Sequence, residues 1–533
     1  MKALRRGAAL IAAVAVLSAC GLNEGNDDKP ATDATLRIGT AADFGSLNPF
    51  LSYSTADGWA MDIMYPHLLR MDESAQKVPA LAKSYDYSPD GLTATFHLRD
   101  DFKWSDGKPV TAGDVKFTAE KITELGLSFV RTHLDPVASI DTPDDTTVVF
   151  HLKRAYSPFA GGVGFWMPIV PRQVFEGVSD LKNYAVGTST VGGGAFALSS
   201  AVKGQRYTFT ANPGYPLGPS GGAAIKTVEY VVYPDVNTMQ LALRNGDISM
   251  MATPVPPSAV DTLRDDKNVT IATVPSLGYS TLIYNLDNEK LRQVSVRKAI
   301  SESVDVKSII GTILKDNGKA VAGPVPPVFA NYYDSSLTPY AFDPAGAKAA
   351  LQSAGYKDGN GDGIFDGLEF DVLCNQDLTS LARAAGVIRD DAAKAGIRLN
   401  LNCVTSATWT TGARNGDYDV LLNQWGVIEN PVTTLRGFFL STNPGSNNYN
   451  RIKDPALDAK INDMISTVDD AGLQAKAKEL AKVVYDDYLF APIYVENFFL
   501  AYRSDRFKGF TAIPSNLLGL VTGYSLANAT PVA

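Results

Sequence analysis

Histidine is scarce in this chain. Four occur among 533 residues, at 67, 97, 133 and 151. None sits in an HExxH or HxH spacing, and a metal centre needs convergent ligands, so they read as surface or hydrogen-bonded residues. There is no GxSxG elbow and no phosphate-binding P-loop, and Gly192-Gly193-Gly194 does not have the spacing of a dinucleotide loop. No apolar run reaches the ~18 residues of a membrane-spanning helix. Basic residues are outnumbered, 48 against 57 acidic, for a net charge of −9. Three of the basic ones, Lys2, Arg5 and Arg6, fall in the first 19 residues, which hold no acid. The remainder is therefore more acidic still, which argues against nucleic acid or anionic lipid as a partner. Together these absences point away from a hydrolase.

At 45% hydrophobic and 20% charged, the composition is that of an ordinary globular protein, and the length calls for two or three domains. The first 19 residues have a signal-peptide layout: Lys2, Arg5 and Arg6, then an apolar stretch from Ala8 to Leu17. It ends Leu17-Ser18-Ala19-Cys20-Gly21, which resembles the lipobox of bacterial lipoproteins. That resemblance implies that Cys20 is acylated and becomes the N-terminus, anchoring the protein through more than one lipid chain. Residues 21–34 show no apolar period and read as a flexible tether.

Residues 88–117 carry the most information. Leu92, Ala94, Phe96 and Leu98 alternate with Thr93, Thr95, His97 and Arg99, the period of a half-buried strand. Asp106-Gly107 signals a turn, and Thr111 with Asp114 three residues on predicts a capped helix. The pieces Ser88-Pro89-Asp90-Gly91, Phe96-His97-Leu98-Arg99, Trp104-Ser105-Asp106-Gly107 and Thr111-Ala112…Asp114-Val115 resemble the signature of bacterial extracellular solute-binding protein family 5. This is the family of peptide, dipeptide and nickel-binding proteins of ABC importers. Leu47-Asn48-Pro49, Asn212-Pro213-Gly214-Tyr215, Asn245-Gly246-Asp247-Ile248 and Val296-Arg297-Lys298-Ala299-Ile300 continue the likeness, which covers about 35–525.

The resemblance implies an α/β, periplasmic-binding-protein-like fold with two large hinged lobes and a small domain inserted in the first. The expected division is signal peptide 1–19, lipidated tether 20–34, first lobe 35–72, small domain 73–185, first lobe again 186–282, second lobe 283–484, and first lobe 485–533. Ser54 and Thr55 on one lobe, with Trp425 and Gly426 on the other, are expected to pair with a ligand's main chain; Trp409, Arg414 and Asn430 share the ligand-facing segment. In peptide-binding members an aspartate between the second tryptophan and the proline holds the peptide's α-ammonium. This chain has Gly426-Val427-Ile428-Glu429-Asn430 there, one residue short and without aspartate. Glu429 substitutes for it, or the ligand carries no ammonium.

The alternation of Phe370, Val372 and Cys374 and of Leu399, Leu401 and Cys403 places both cysteines in the apolar phase of adjoining strands. With Cys20 lipidated, they are the two thiols left in an oxidising compartment, and a Cys374–Cys403 disulfide is predicted. Asp358, Asn360, Asp362, Asp366 and Glu369, with Gly363 at the sixth position, fit a calcium-loop pattern, but a strand follows where a helix would. A plain turn and a calcium site both remain open, and no other cofactor is called for. The function implied is a monomeric, lipid-anchored binding component that delivers peptides to a permease from the outer face of the cytoplasmic membrane or from the periplasm. The alternatives are the same role for an oligosaccharide or metal chelate, or a peptide-sensing lipoprotein without transport.

Overall fold

A computed structural model describes residues 35–51, 54–187, 189–443, 447–515 and 517–532. The signal segment, Cys20 and the tether lie outside them. In the signature stretch, strand Thr93–Leu98 buries Ala94, Phe96 and Leu98 and turns Thr93, Thr95 and His97 outward. Gly107 takes φ 87° at the turn, and Phe102 and Trp104 beside it are buried. Across the turn the chain makes a single bridge, Lys103 with Pro109. Helix Ala112–Leu125 then starts where Thr111 donates to the Asp114 carboxylate from its amide (2.9 Å) and hydroxyl (3.1 Å). Strand Thr93–Leu98 is an inner member of a four-stranded antiparallel sheet with Ala82–Tyr87, Thr147–Leu152 and Val137–Asp144. Gly193 lies against the face of Trp104, and Gly192 and Gly194 pack on the Met64 and Ile63 carbonyls. The glycine triplet is thus a close crossing of chains, where any side chain would collide.

A single twelve-stranded sheet runs through the rest of the molecule, and one strand belongs to both of its halves. In the first half, Thr35–Thr40 lies parallel to Thr227–Val232 and to Met250–Met251, and the sheet extends outward through Arg206–Ala211 and Phe196–Val202. In the second half, Glu369–Asn375 lies parallel to Arg398–Val404 and to Val420–Gln424, and Val420–Gln424 pairs antiparallel with Ser280–Tyr284. The long strand Phe490–Arg503 pairs with Ser280–Tyr284 and Gly318–Ala320 near its start, then with Val269–Pro275 and Met250–Met251 towards its end. Pro275 faces Asn497 and Ser280 faces Tyr494, so the chain passes between the halves at two adjacent places, with a register shift at Ser280/Thr281.

Helix starts follow the caps visible in the sequence. Asp235 accepts from Asn237 and Thr238 ahead of Val236–Asn245, Asp305 from Ser308 ahead of Val306–Thr312, and Asp343 from Gly346 ahead of Pro344–Ser353. Strand Glu369–Asn375, helix Thr379–Lys394 and strand Arg398–Val404 form a parallel unit in which Cys374 and Cys403 are register partners. Their sulfurs are joined as a disulfide, with the Cα atoms 4.3 Å apart. Among the described residues no helix is long and apolar enough to cross a membrane.

Candidate ligand-binding site

The strand Val420–Gln424 delivers Trp425 to the crossing between the halves. Its amide donates to the Tyr279 carbonyl at 3.0 Å, and Gly278 runs so close beneath that a Cβ there would collide with the Trp425 carbonyl oxygen. The indole is sandwiched, with Phe438 stacked at 4.0 Å and Tyr449 at 5.7 Å, while Trp409 meets Tyr449 edge-on at 6.3 Å. Both indoles are half-buried, yet each Nε1 is buried without an acceptor. Arg414 is exposed and acts electrostatically on the Tyr449 phenol, whose pKa burial raises. Gly426 is exposed, and its carbonyl accepts from Ser276 Oγ at 3.4 Å. Asn430 caps helix Pro431–Phe439 by accepting from the Val432 and Thr433 amides, with Pro431 at the first helical position. That local role accounts for the Asn430-Pro431 pair.

A cavity of about 570 Å³ opens beside this helix. One wall comes from strand Ala82–Tyr87, Lys77, Ser157 and Gly161; the other from Glu429–Val432, Phe329, Tyr332 and the start of helix Asp470–Asp486. Its size is that of a small-molecule or peptide site. The two walls are tied together at its edge, where the Ser157 amide donates to the Ile465 carbonyl at 2.8 Å and Asn331 donates to Gln76 at 3.0 Å. Glu429 is not free here. Lys77 Nζ donates to the Glu429 carbonyl at 2.7 Å and lies 3.8 Å from its carboxylate, and the same ammonium rests 4.3 Å over the Phe165 ring. Burial pulls the Lys77 pKa down to about 8 although Glu429 opposes the shift. Burial likewise lowers His133, which packs on Gly162.

Phe165 joins this cavity to a second, apolar wall. It contacts Trp166 at 4.9 Å and, with Trp59, Leu517 and Leu518, lines a shallow recess. Trp59 Nε1 donates to the Leu517 carbonyl at 2.7 Å, fixing that wall. Trp409, Trp425, Trp166 and Leu517 all pack against one hydrophobic cluster that includes Phe165, Leu518 and the crossing residues Leu277 and Tyr279. Asp62 and His67 face the same recess, 3.8 Å apart; burial raises the first and lowers the second.

Of the expected residues, Glu429 and Asn430 line the cavity, while Trp409, Trp425 and Gly426 stand at the crossing and do not line it. Ser54 and Thr55 stand elsewhere, exposed at the head of helix Thr55–Met64, where Ser54 forms a capping box with Asp57; neither lines the cavity. Lys77, Phe165 and Gly278 were not anticipated, because nothing local in the sequence marks them. The calcium reading finds no support in the geometry. Asp358 accepts from the amides of Gly361, Asp362 and Gly363, and Asp366 from Gly359. Arg398 places its guanidinium 2.8 Å from Asp362 and 4.0 Å from Glu369. The segment is a turn closed by its own amides and a cation of the chain, and no group of three or more metal-binding side chains converges among the described residues.

Two sheet halves sharing one strand, with a cavity beside helix Pro431–Phe439 and an aromatic wall at the crossing, suit a solute-binding protein. The family model for "Bacterial extracellular solute-binding proteins, family 5 Middle" matches residues 76–447, and the chain belongs to this family. It is 28% identical over 494 residues to the "Probable D,D-dipeptide-binding periplasmic protein DdpA" of Escherichia coli, covering 90% of this chain and 92% of that one. It is 25% identical to the "Oligopeptide-binding protein AppA" of Bacillus subtilis, covering 96% of each. The crystal structure of the ABC transporter substrate-binding protein CtaP of Listeria monocytogenes superposes with a TM-score of 0.81 at 24% identity, over 94% of this chain and 99% of that one. Members of this family bind solutes and are not enzymes.

Proposed function

We propose that the chain is the lipid-anchored binding component of an ABC importer, capturing dipeptides or oligopeptides and delivering them to a membrane permease. The observation that carries this reading is the cavity of about 570 Å³ between strand Ala82–Tyr87 and the Glu429–Val432 segment. Its walls come from different parts of the chain and meet through a handful of polar contacts, so hinge motion at the crossings opens or closes it. The names of the D,D-dipeptide-binding and oligopeptide-binding relatives support peptide as the ligand class. In this reading the first lobe comprises 35–72, 186–282 and 485–533, the small domain 73–185 and the second lobe 283–484. Anchoring rests on Cys20, and the working place is the outer face of the cytoplasmic membrane or the periplasm. Native mass spectrometry of protein purified from its own cells is the direct test: co-purified peptides are expected, and a sugar or metal chelate in their place overturns the peptide assignment. Cys20→Ala is expected to leave the membrane fraction or stay unprocessed; normal anchoring of that variant refutes the lipid anchor.

A further inference from the structure

Where strand Ala82–Tyr87 faces the start of helix Asp470–Asp486, the cavity is lined by tyrosines. Tyr85 and Tyr87 stand two residues apart on the strand and meet edge-on, with ring centroids 6.3 Å apart, and Tyr332 comes from the other wall. The Tyr87 hydroxyl donates to the Ser157 carbonyl and accepts from the Ala160 amide, both at 2.9 Å, which fixes that ring. Tyr85 is exposed and the other two are half-buried, so all three keep accessible surface. Asp470 belongs to the same group: burial raises the pKa of each phenol, and the Asp470 charge raises each one further. Its own carboxylate is exposed and, among the described residues, has no ion pair or hydrogen-bond partner. The neighbouring Asp469 already answers the positive end of the helix, accepting from the Gly472 amide at 2.7 Å. The other carboxylates of the lining have bases beside them, His97 at 3.1 Å from Asp86 and Lys77 at 3.8 Å from Glu429. Lys83 lines the cavity too, but its charge is not among those acting on the three phenols. The one buried side-chain polar atom of the lining without a partner, Glu429 Oε2, is also an acceptor. Val468, Leu473 and Phe329 give the same lining apolar surface. A lone exposed carboxylate would hold a cation only weakly. Combined with aromatic rings and an apolar floor it suits an organic cation on an aliphatic stem, because ring faces attract the charge and the stem covers the floor.

We infer that this part of the cavity is a cation subsite, in which Tyr85, Tyr87 and Tyr332 surround the ammonium or guanidinium of a lysine or arginine side chain and Asp470 opposes its charge. This rests on the peptide reading above and narrows its substrate class to peptides with a basic side chain.

The test is a competition on the whole protein, read by native mass spectrometry. Short peptides carrying lysine or arginine at each position in turn are mixed in equal amounts with counterparts carrying the uncharged norleucine or citrulline. The basic forms are expected to be retained about tenfold over the uncharged ones. Equal retention, or a preference for the uncharged forms, overturns this inference and leaves the peptide reading intact; retention of no peptide overturns both. Asp470→Asn removes the charge and Tyr85→Leu removes one ring, and both residues are exposed, so neither change disturbs the core. Each is expected to lower the preference for basic peptides severalfold. Asp261→Asn, at an exposed carboxylate outside the lining, is expected to leave it unchanged. Full preference in Asp470→Asn or in Tyr85→Leu overturns the subsite. So does an equal loss in Asp261→Asn, because the protein's overall negative charge would then account for the attraction.

Discussion

Gly278 carries the backbone of Trp425 at a distance that admits no side chain, because a Cβ on Gly278 would overlap the Trp425 carbonyl oxygen and the start of Gly426. The Ser276 hydroxyl accepts from the Gly278 amide and, across the crossing, donates to the Gly426 carbonyl. The segment that carries the aromatic wall is therefore registered directly on the segment that joins the two halves.

Gly278→Ala should force these two backbones apart. Overpacking of this kind costs about 1–3 kcal/mol, and denaturant unfolding should show it as a lower midpoint with an unchanged slope. Because Trp425 moves with its backbone, its fluorescence should change even before unfolding. A variant as stable as the parent would show that the contact relaxes freely.

The Cys374–Cys403 disulfide closes 29 residues of chain. Loop closure of that length predicts a contribution of about 3–4 kcal/mol. Reduction, or replacement of both cysteines by serine, should lower the unfolding midpoint accordingly. Thiol titration in denaturant without reductant should find neither sulfur free, and two reactive thiols would refute the bond.

Lys77 makes stability depend on pH in a definite direction. Its pKa falls from 10.5 to about 8 on folding, mainly through burial. Between those values the unfolded chain binds the proton and the folded one does not, so unfolding is disfavoured progressively as pH rises. Below about 8 the cost of burying the charge is present in full; from about 8 to 10.5 it is relieved. Buried tyrosines with raised pKa values act in the opposite sense above about 10. The informative quantity is thus the difference between the parent and Lys77→Met. The parent should gain on the variant over this window, and parallel pH profiles would overturn the assignment.

What was legible in the sequence is what short-range physics writes there. The alternation that buries Ala94, Phe96 and Leu98, the acidic caps at Asp235, Asp305 and Asp343, and the shared phase of Cys374 and Cys403 each depend on neighbours within a few residues. Lys77 and Glu429 are 352 positions apart, and no local period announces that they meet. The acidic segment 358–369 shows the same limit. Its spacing matches a calcium loop, but the cation beside Asp362 comes from Arg398, on the next strand but one in sequence order of its own unit. Ser54 reads as ligand-facing by resemblance, while the local pattern with Asp57 three residues on accounts for it as a helix cap.

Trp425 tests the placement of the site itself. Its ring lies between Phe438 and Tyr449 with one edge left partly open, and its Nε1 waits without an acceptor. Two consequences follow from that geometry. A ligand entering against this wall should dry the exposed edge and supply the acceptor, so intrinsic fluorescence should shift on binding. Trp425→Ala should then weaken peptide binding by about 1–3 kcal/mol, roughly ten- to a hundred-fold or somewhat more. Loss of the stack should also lower stability, but by less than the ~3–5 kcal/mol of a fully buried aromatic, because solvent can enter the gap. The two measurements separate the roles. Calorimetric titration with a retained peptide, done well below the unfolding midpoint, reads affinity alone, and a denaturant curve without ligand reads stability alone. A variant that binds as the parent does yet unfolds with the full loss of a buried core residue would place Trp425 in the packing of the second half and leave the ligand to the cavity, which Trp425 does not line.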